Sequence, residues 1–183
     1  MSFDVDIGRC SERGPREENE DYSSVVRPAP QDEAHGLIAA VADGVSMGGR
    51  GREAAQSAVL SLVRDYYSTP ETWDTSVALD RLIGAHNAWL ADHNRRRQGA
   101  GTEGAAAMCT LTALVLQGHS YTVAHVGDTR AWLLRDGDCI QLTQDHCFEQ
   151  PDMRSRLTRA LGLDDGVRID YVQGELQPGD TFL

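Results

Sequence analysis

The chain has 183 residues, 40% of them apolar and 25% charged, the profile of a single globular domain able to bury a core without disulfides or a structural metal. Its formal net charge of −11 argues against nucleic acid and anionic lipid as main partners, because both select a basic surface. No apolar run reaches the length of a membrane span, and residues 1–6 show no basic region followed by an apolar stretch, so the expected compartment is the cytoplasm.

In chain order, the first segment with a clear character is 27–36, rich in Pro, Asp and Glu and expected to be mobile. Residues 37–41 form a short apolar run, read as a buried strand that ends at Asp43-Gly44. Over 51–67, apolar residues at Ala55, Val59, Leu62, Val63 and Tyr66 predict a helix. A second helix is predicted over 76–93 from Leu79, Leu82, Ile83, Trp89 and Leu90. His86 and His93 fall on the same stripe. They read as boundary residues with satisfied hydrogen bonds, a metal pair being the competing reading. The segment 95–104 combines Arg95-Arg96-Arg97 with glycines; it is expected to be mobile, with the arginines as a solvated helix end rather than a patch for an acidic partner.

Three strands are then predicted, over 111–116, 121–126 and 130–135, the first two joined by a turn at 117–120. Asp136-Gly137 is a hairpin signal leading into a fourth strand over 139–142. Sequential strands with tight turns indicate an antiparallel meander, and the grouping of helices apart from strands indicates an α+β fold with helices packed on sheet. None of the cysteines, Cys10, Cys109, Cys139 and Cys147, falls in a C-x-x-C pair, so free thiols are expected. Adjacency of His146 to Cys147 does not by itself make a nucleophile.

Three segments place an Asp at a strand end or turn: Arg16-Glu17-Glu18-Asn19-Glu20-Asp21, Val41-Ala42-Asp43-Gly44, and His125-Val126-Gly127-Asp128-Thr129-Arg130. A carboxylate just past a buried strand can be aimed into a cleft, and a neighbouring Gly lets backbone approach a ligand. Hard cations such as Mg²⁺ and Mn²⁺ take such oxygen ligands, and two of them together can neutralise a phosphate. Each segment alone also reads as a turn or a surface salt-bridge cluster.

Taken in order, the motifs resemble the metal-dependent protein phosphatase family, also called protein phosphatase 2C-like or PPM, in its bacterial form. The matching segments are Arg16-x-x-Asn19-Glu20-Asp21, Asp43-Gly44 through Gly48-Gly49 to Glu53-Ala54-Ala55, Val126-Gly127-Asp128-Thr129-Arg130, and Gln141-Leu142-Thr143-Gln144-Asp145-His146. Leu157 to Gly162 and Pro178 to Leu183 are also similar to family segments. The resemblance implies an antiparallel β-sandwich flanked by helices in α-β-β-α layers, here as one catalytic domain over 1–183. It implies Arg16 as the phosphate-binding residue. Asp21 and Asp43 would be metal ligands, Asp43 bridging two ions and acting in catalysis, with the Gly44 carbonyl completing one coordination sphere. Glu20 would act through a metal-bound water, and Asp128 as ligand to a third ion or beside it. The implied cofactors are two or more Mn²⁺ or Mg²⁺ ions. The implied reaction is direct attack of a metal-bridging hydroxide on phosphoserine or phosphothreonine in proteins, opposing a Ser/Thr kinase.

Three departures from the family pattern qualify this. Asp43-Gly44-Val45-Ser46-Met47-Gly48-Gly49 is longer than the family's D-G-M-G-G and has Val45 where some members place a His general acid. Met108-Cys109-Thr110-Leu111 stands at the family's G-T-T segment, with Cys for Gly, a change expected to be tolerated. The sequence ends at Leu183, before two further metal-ligating Asp residues of the family, so the domain is expected to be incomplete at its C-terminus, with weak metal binding and low activity. The alternative function is a phosphatase-derived binding or regulatory module without turnover; action on small phosphorylated metabolites is a third reading.

Overall fold

A computed structural model of the chain describes residues 4–45, 49–99, 106–148 and 156–183. Among the described residues, eight strands and two α-helices are arranged as two antiparallel sheets with the helices on one side. The strands are β1 (Tyr22–Val26), β2 (Leu37–Ala42), β3 (Leu111–Gln117), β4 (Ser120–Val126), β5 (Trp132–Arg135), β6 (Asp138–Gln141), β7 (Asp170–Glu175) and β8 (Thr181–Phe182). The helices are α1 (Gly51–Asp65) and α2 (Thr75–Gly99). One sheet has the order β1-β2-β3-β4-β7 and the other β6-β5-β8.

The central strands are buried on both faces, and their alternation divides the core in two. Leu111, Ala113 and Val115 of β3, with Ala124 and Val126 of β4, face the helices and pack with Val59, Leu62, Leu79, Ile83 and Leu90. Tyr121 and Val123 of β4, with Leu114 and Leu116 of β3, face the second sheet and pack with Leu133 and Phe182. Small residues line the helix contact: Ala54, Ala55 and Ala58 of α1 meet Ala40 and Ala42 of β2, which lets the helix lie close over the sheet. The described residues thus supply three of the four layers in the α-β-β-α order, and the α+β reading holds.

The two predicted helices form, each with a modified end. The first runs as α1 and then tightens into a 3-10 turn at Tyr66–Ser68. The second extends from Thr75 to Gly99, beyond the predicted 76–93. The hairpin at Asp136-Gly137 has φ of 53° and 88°, the left-handed pair a type I′ turn needs. All four cysteines are free thiols.

Other expectations need correction. The segment 27–36 is not a loose loop: it contains a 3-10 turn over Pro30–His35, and His35 is buried. The Tyr66 hydroxyl donates to the His35 carbonyl at 3.0 Å and the Tyr67 hydroxyl to the Gly36 carbonyl at 3.0 Å, while Gln117 Nε2 donates to the Ala34 carbonyl at 2.6 Å. In the segment 95–104, residues 95–99 are helical, and residues 100–105 lie outside the described residues. Arg95 and Arg96 pair with Asp92 at 3.6 and 2.8 Å, as cations near a helix end do. Trp89 is not core: it is 55% exposed, between the rings of His86 and His93 at 5.5 and 5.7 Å. His86 and His93 do have partners, Ser57 and Ser61 for the first and Arg50 for the second. Strands β1, β7 and β8 were not anticipated, and β5 begins at Trp132 rather than Arg130.

Two glycines test this packing in opposite directions. A Cβ at Gly84, in the middle of α2, meets nothing within 4 Å, so Gly84→Ala should raise stability by about 0.5–1 kcal/mol through helix propensity. A Cβ at Gly174 of β7 would lie 2.5 Å from the Tyr121 hydroxyl, so Gly174→Ala should lower stability by about 1–3 kcal/mol. Urea unfolding of the two variants checks both signs.

Candidate active site

Four strand ends meet at one edge of the five-stranded sheet, and they carry the acidic residues. Tyr22 of β1 pairs with Ala42 of β2. The next position outward on each strand is Asp21 and Asp43, so antiparallel register sets the two carboxylates opposite each other. Leu111 of β3 pairs with Val126 of β4 at the same edge. The chain beyond Val126 turns through Gly127 into Asp128.

The turn after β2 is held by backbone hydrogen bonds. Gly44 N–H donates to the Glu20 carbonyl at 3.2 Å, Val45 N–H to the Met108 carbonyl at 2.9 Å, and Thr110 N–H to the Asp43 carbonyl at 2.9 Å. Asp43 N–H in turn donates to the Thr110 hydroxyl at 2.9 Å. Gly44 also abuts the first residue of α1. A Cβ on Gly44 would lie 2.2 Å from the Gly51 carbonyl carbon, and a Cβ on Gly51 would lie 2.6 Å from that of Gly44. Backbone meets backbone here with no room for a side chain.

The electrostatics of the Asp pair are unusual. Asp43 is half-buried and its carboxyl is pushed up from 3.8 to about 6. Burial is the largest cause; the charge of Asp21 and a hydrogen bond between the two carboxyls come next, followed by the charge of Asp128, while Arg16 pulls the other way. Burial and the neighbouring Asp21 charge thus favour the protonated form of Asp43, and a cation held between the two carboxyls would relieve both. Asp128 is also raised, by partial desolvation and by Asp145, against the pull of Arg130.

Of the residues named from sequence, Asp21, Asp43 and Gly44 are therefore together, and Asp128 and Arg16 are within electrostatic reach of Asp43. Glu20 is half-buried and contributes its carbonyl to the Gly44 turn. Arg16 is exposed on a loop whose ends are tied by Asn19: its Nδ2 donates to Ser11 Oγ at 2.9 Å, and its Oδ1 accepts from Asp21 N–H at 3.0 Å. The donor set is hard oxygen, suited to Mn²⁺ or Mg²⁺. It is also sparse: among the described residues, no group of three or more His, Cys, Asp or Glu side chains is gathered closely enough to hold an ion. Ser46, Met47 and Gly48 of the longer loop lie outside the described residues. Cys109, in place of the family glycine, is fully buried in bridges to Gly44 and Leu161.

Several supporting residues carried no assigned role from sequence. Arg130 forms a two-point ion pair with Asp145, Nε to Oδ1 at 2.9 Å and Nη2 to Oδ2 at 2.6 Å. Thr112 Oγ1 lies 2.9 Å from His125 Nδ1 and 2.7 Å from Thr129 Oγ1. His125 Nε2 donates to the Gln144 carbonyl at 3.1 Å. Arg130, Asp145 and His146 were visible as motif members; the Thr112–His125 link joins positions no local pattern connects.

Comparison with known proteins agrees with this geometry. A family profile described as protein phosphatase 2C matches residues 16–166, and the chain belongs to that family. It is 32% identical over 116 residues to the serine/threonine protein phosphatase PstP of Mycobacterium tuberculosis, covering 62% of this chain and 21% of that protein. It is 26% identical over 203 residues to the serine/threonine phosphatase stp of Listeria welshimeri, covering 99% of this chain and 74% of that one. The crystal structure of the catalytic domain of PstP in complex with two manganese ions superposes with a TM-score of 0.70 at 29% identity, over 94% of this chain and 73% of that chain. The chain thus spans only about a fifth of the full PstP protein it matches.

The raised carboxyl has a stability signature. Between about pH 4 and 6 the folded chain holds a proton at Asp43 that the unfolded chain has released, so this contribution is present below pH 4 and lost as pH rises through about 6. His125, lowered from 6.5 to about 4 by burial and then by His146, has the opposite sign: its contribution grows as pH rises over that window. In metal-free protein with chelator, Asp43→Asn should therefore steepen the rise of stability from pH 4 to 6.5 and exceed the parent at pH 7. Urea midpoints at four pH values check this.

Proposed function

We propose that residues 1–183 belong to a single metal-dependent protein-serine/threonine phosphatase domain. The observation that carries the reading is the Asp21–Asp43 carboxyl pair, forced together at a sheet edge with the charges of Arg16 and Asp128 beside it. A like-charge pair held by β-sheet register is unfavourable by itself and becomes favourable when a divalent cation sits between the carboxylates. The manganese bound by the PstP catalytic domain supports Mn²⁺ or Mg²⁺ as that cation.

In this reading Asp21 and Asp43 hold the ions, the Gly44 carbonyl adds a neutral oxygen, and Glu20 and Asp128 act at the margin of the set. When bound, two such ions supply charge neutralisation for the phosphate and acidify water for direct attack on phosphorus. Arg16, on its exposed loop, grips the phosphate oxygens through its planar fork and orients the ester. Asn19 keeps that loop in step with Asp21, since one side chain bonds to both. Val45 cannot protonate the leaving group, so the proton comes from water or from another group. The substrates are phosphoserine and phosphothreonine side chains of proteins, the opposing activity is a Ser/Thr kinase, and the four free thiols suit the reducing cytoplasm. Among the described residues no helix is long and apolar enough to cross a membrane.

A second reading, a module that binds phosphoproteins without turnover, is favoured by the lack of any three-ligand group among the described residues. One experiment separates the two. Hydrolysis of p-nitrophenyl phosphate is expected with Mn²⁺ and not with excess chelator, and Asp43→Asn should reduce it by on the order of 100-fold or more. Arg16→Ala should weaken substrate saturation. Turnover that survives chelation or Asp43→Asn overturns the metal-dependent assignment; no turnover at any Mn²⁺ concentration, together with phosphopeptide binding that needs Arg16, supports the second reading for this chain.

A further inference from the structure

Beside the acidic edge lies a polar network that none of the roles above uses. His146 is 6% exposed and occupies both backbone groups of Gly127. Gly127 N–H donates to His146 Nδ1 at 3.0 Å, and His146 N–H donates to the Gly127 carbonyl at 2.7 Å. On its other side Gly127 is pressed against Thr110: with φ of 107°, a Cβ there would fall 2.5 Å from the Thr110 side chain. Thr110 is the residue that hydrogen-bonds Asp43. The residue after Gly127 is Asp128.

The geometry also fixes the imidazole proton. Nδ1 faces an N–H donor, so it is the bare acceptor, and Nε2 carries the hydrogen. Nε2 donates to Asp170 Oδ2 at 3.0 Å. Arg159 Nη1 donates to Asp170 Oδ1 at 2.7 Å and lies 3.1 Å from His146 Nε2. Two donors that close would repel, and the Asp170 carboxylate accepts from both. Asp170 reaches this place because it begins β7, opposite His125 of β4.

We propose that His146 is a positioning residue for Asp128, its ring locked in the Nε2–H form by Asp170 and Arg159. The role in metal binding rests on the phosphatase reading; the locking itself does not. Arg130, two residues past Asp128, is tied to Asp145, the neighbour of His146. The Asp128 turn is therefore clamped before and after by two consecutive residues of one segment. Outer partners of this kind govern how well a ligand is presented.

The test uses the full chain and three variants. An Asn side chain puts its oxygen where Nδ1 stands, so H146N keeps the acceptor for Gly127 N–H. H146Q puts its amide near Nε2 and loses that acceptor. D170N removes the charge between the two donors and lets the other ring form in, as a carboxylate-to-amide change beside a His does. Nitrogen-15 NMR of the parent should show His146 protonated at Nε2, with a slowly exchanging Gly127 amide. That protection should fall by about 10-fold or more in H146Q and D170N and persist in H146N. In Mn²⁺-dependent turnover, H146Q should raise the half-saturating Mn²⁺ concentration by about 10- to 100-fold, with H146N restoring most of it. A ring protonated at Nδ1, Gly127 protection unchanged in H146Q, or equal losses in H146N and H146Q overturns the proposal. If the parent shows no Mn²⁺-dependent turnover, in line with the low activity expected from its sequence, the tautomer and exchange measurements alone decide whether His146 holds the turn.

Discussion

Asp21 and Asp43 are opposite residues on neighbouring antiparallel strands, and their repulsion is the constraint around which this edge of the molecule is organised. Register brings them together, and the sheet must be stable enough to keep them there. Burial on both faces of β3 and β4 supplies much of that stability, since apolar area is withdrawn from water on the helix side and on the second-sheet side alike. The backbone bonds around Asp43 then fix the turn that carries its carboxyl. Strain of this sort is tolerable where a ligand relieves it.

The same edge shows how a fold built for rigidity presents flexible chemistry. Asp43, Gly44 and Asp128 sit on turns fixed by strands and by buried hydrogen bonds. Arg16 sits on an exposed loop fixed only through Asn19 and its own local contacts. That division suits a site in which charges must be placed accurately and the group that meets an incoming substrate must adapt.

Much of this was legible in the sequence, for identifiable reasons. The stripe at Ala55, Val59, Leu62 and Val63 named α1, because a helix with one buried face must repeat its apolar residues. Leu37 to Val41 named β2, and Asp136-Gly137 named a turn only left-handed residues make. The ordered motifs named Asp21, Asp43 and Asp128 before any geometry brought them near one another. Strand β1 was hidden because Ser23 and Ser24 dilute its pattern and it lies at a sheet edge, half-buried throughout. Strand β7 was hidden by Gly174, which looks like a breaker and is instead the space Tyr121 occupies. Trp89 misled because an indole on the helical stripe reads as core, whereas two flanking imidazoles stack on it at the surface. Segment 27–36 misled because its anchors, Tyr66, Tyr67 and Gln117, lie far along the chain. No local rule could connect His146 to Asp170, since only the pairing of β4 with β7 does so.

The contact between Gly44 and Gly51 carries a consequence for how this sequence can drift. Each glycine is the other's steric wall, so neither position can accept a carbon while its partner's backbone stays in place. Relief at one site alone does not exist, because the obstacle is main chain and not a side chain that could be trimmed in exchange. Both positions are thus closed to any residue but glycine for as long as the turn and the helix start keep their places.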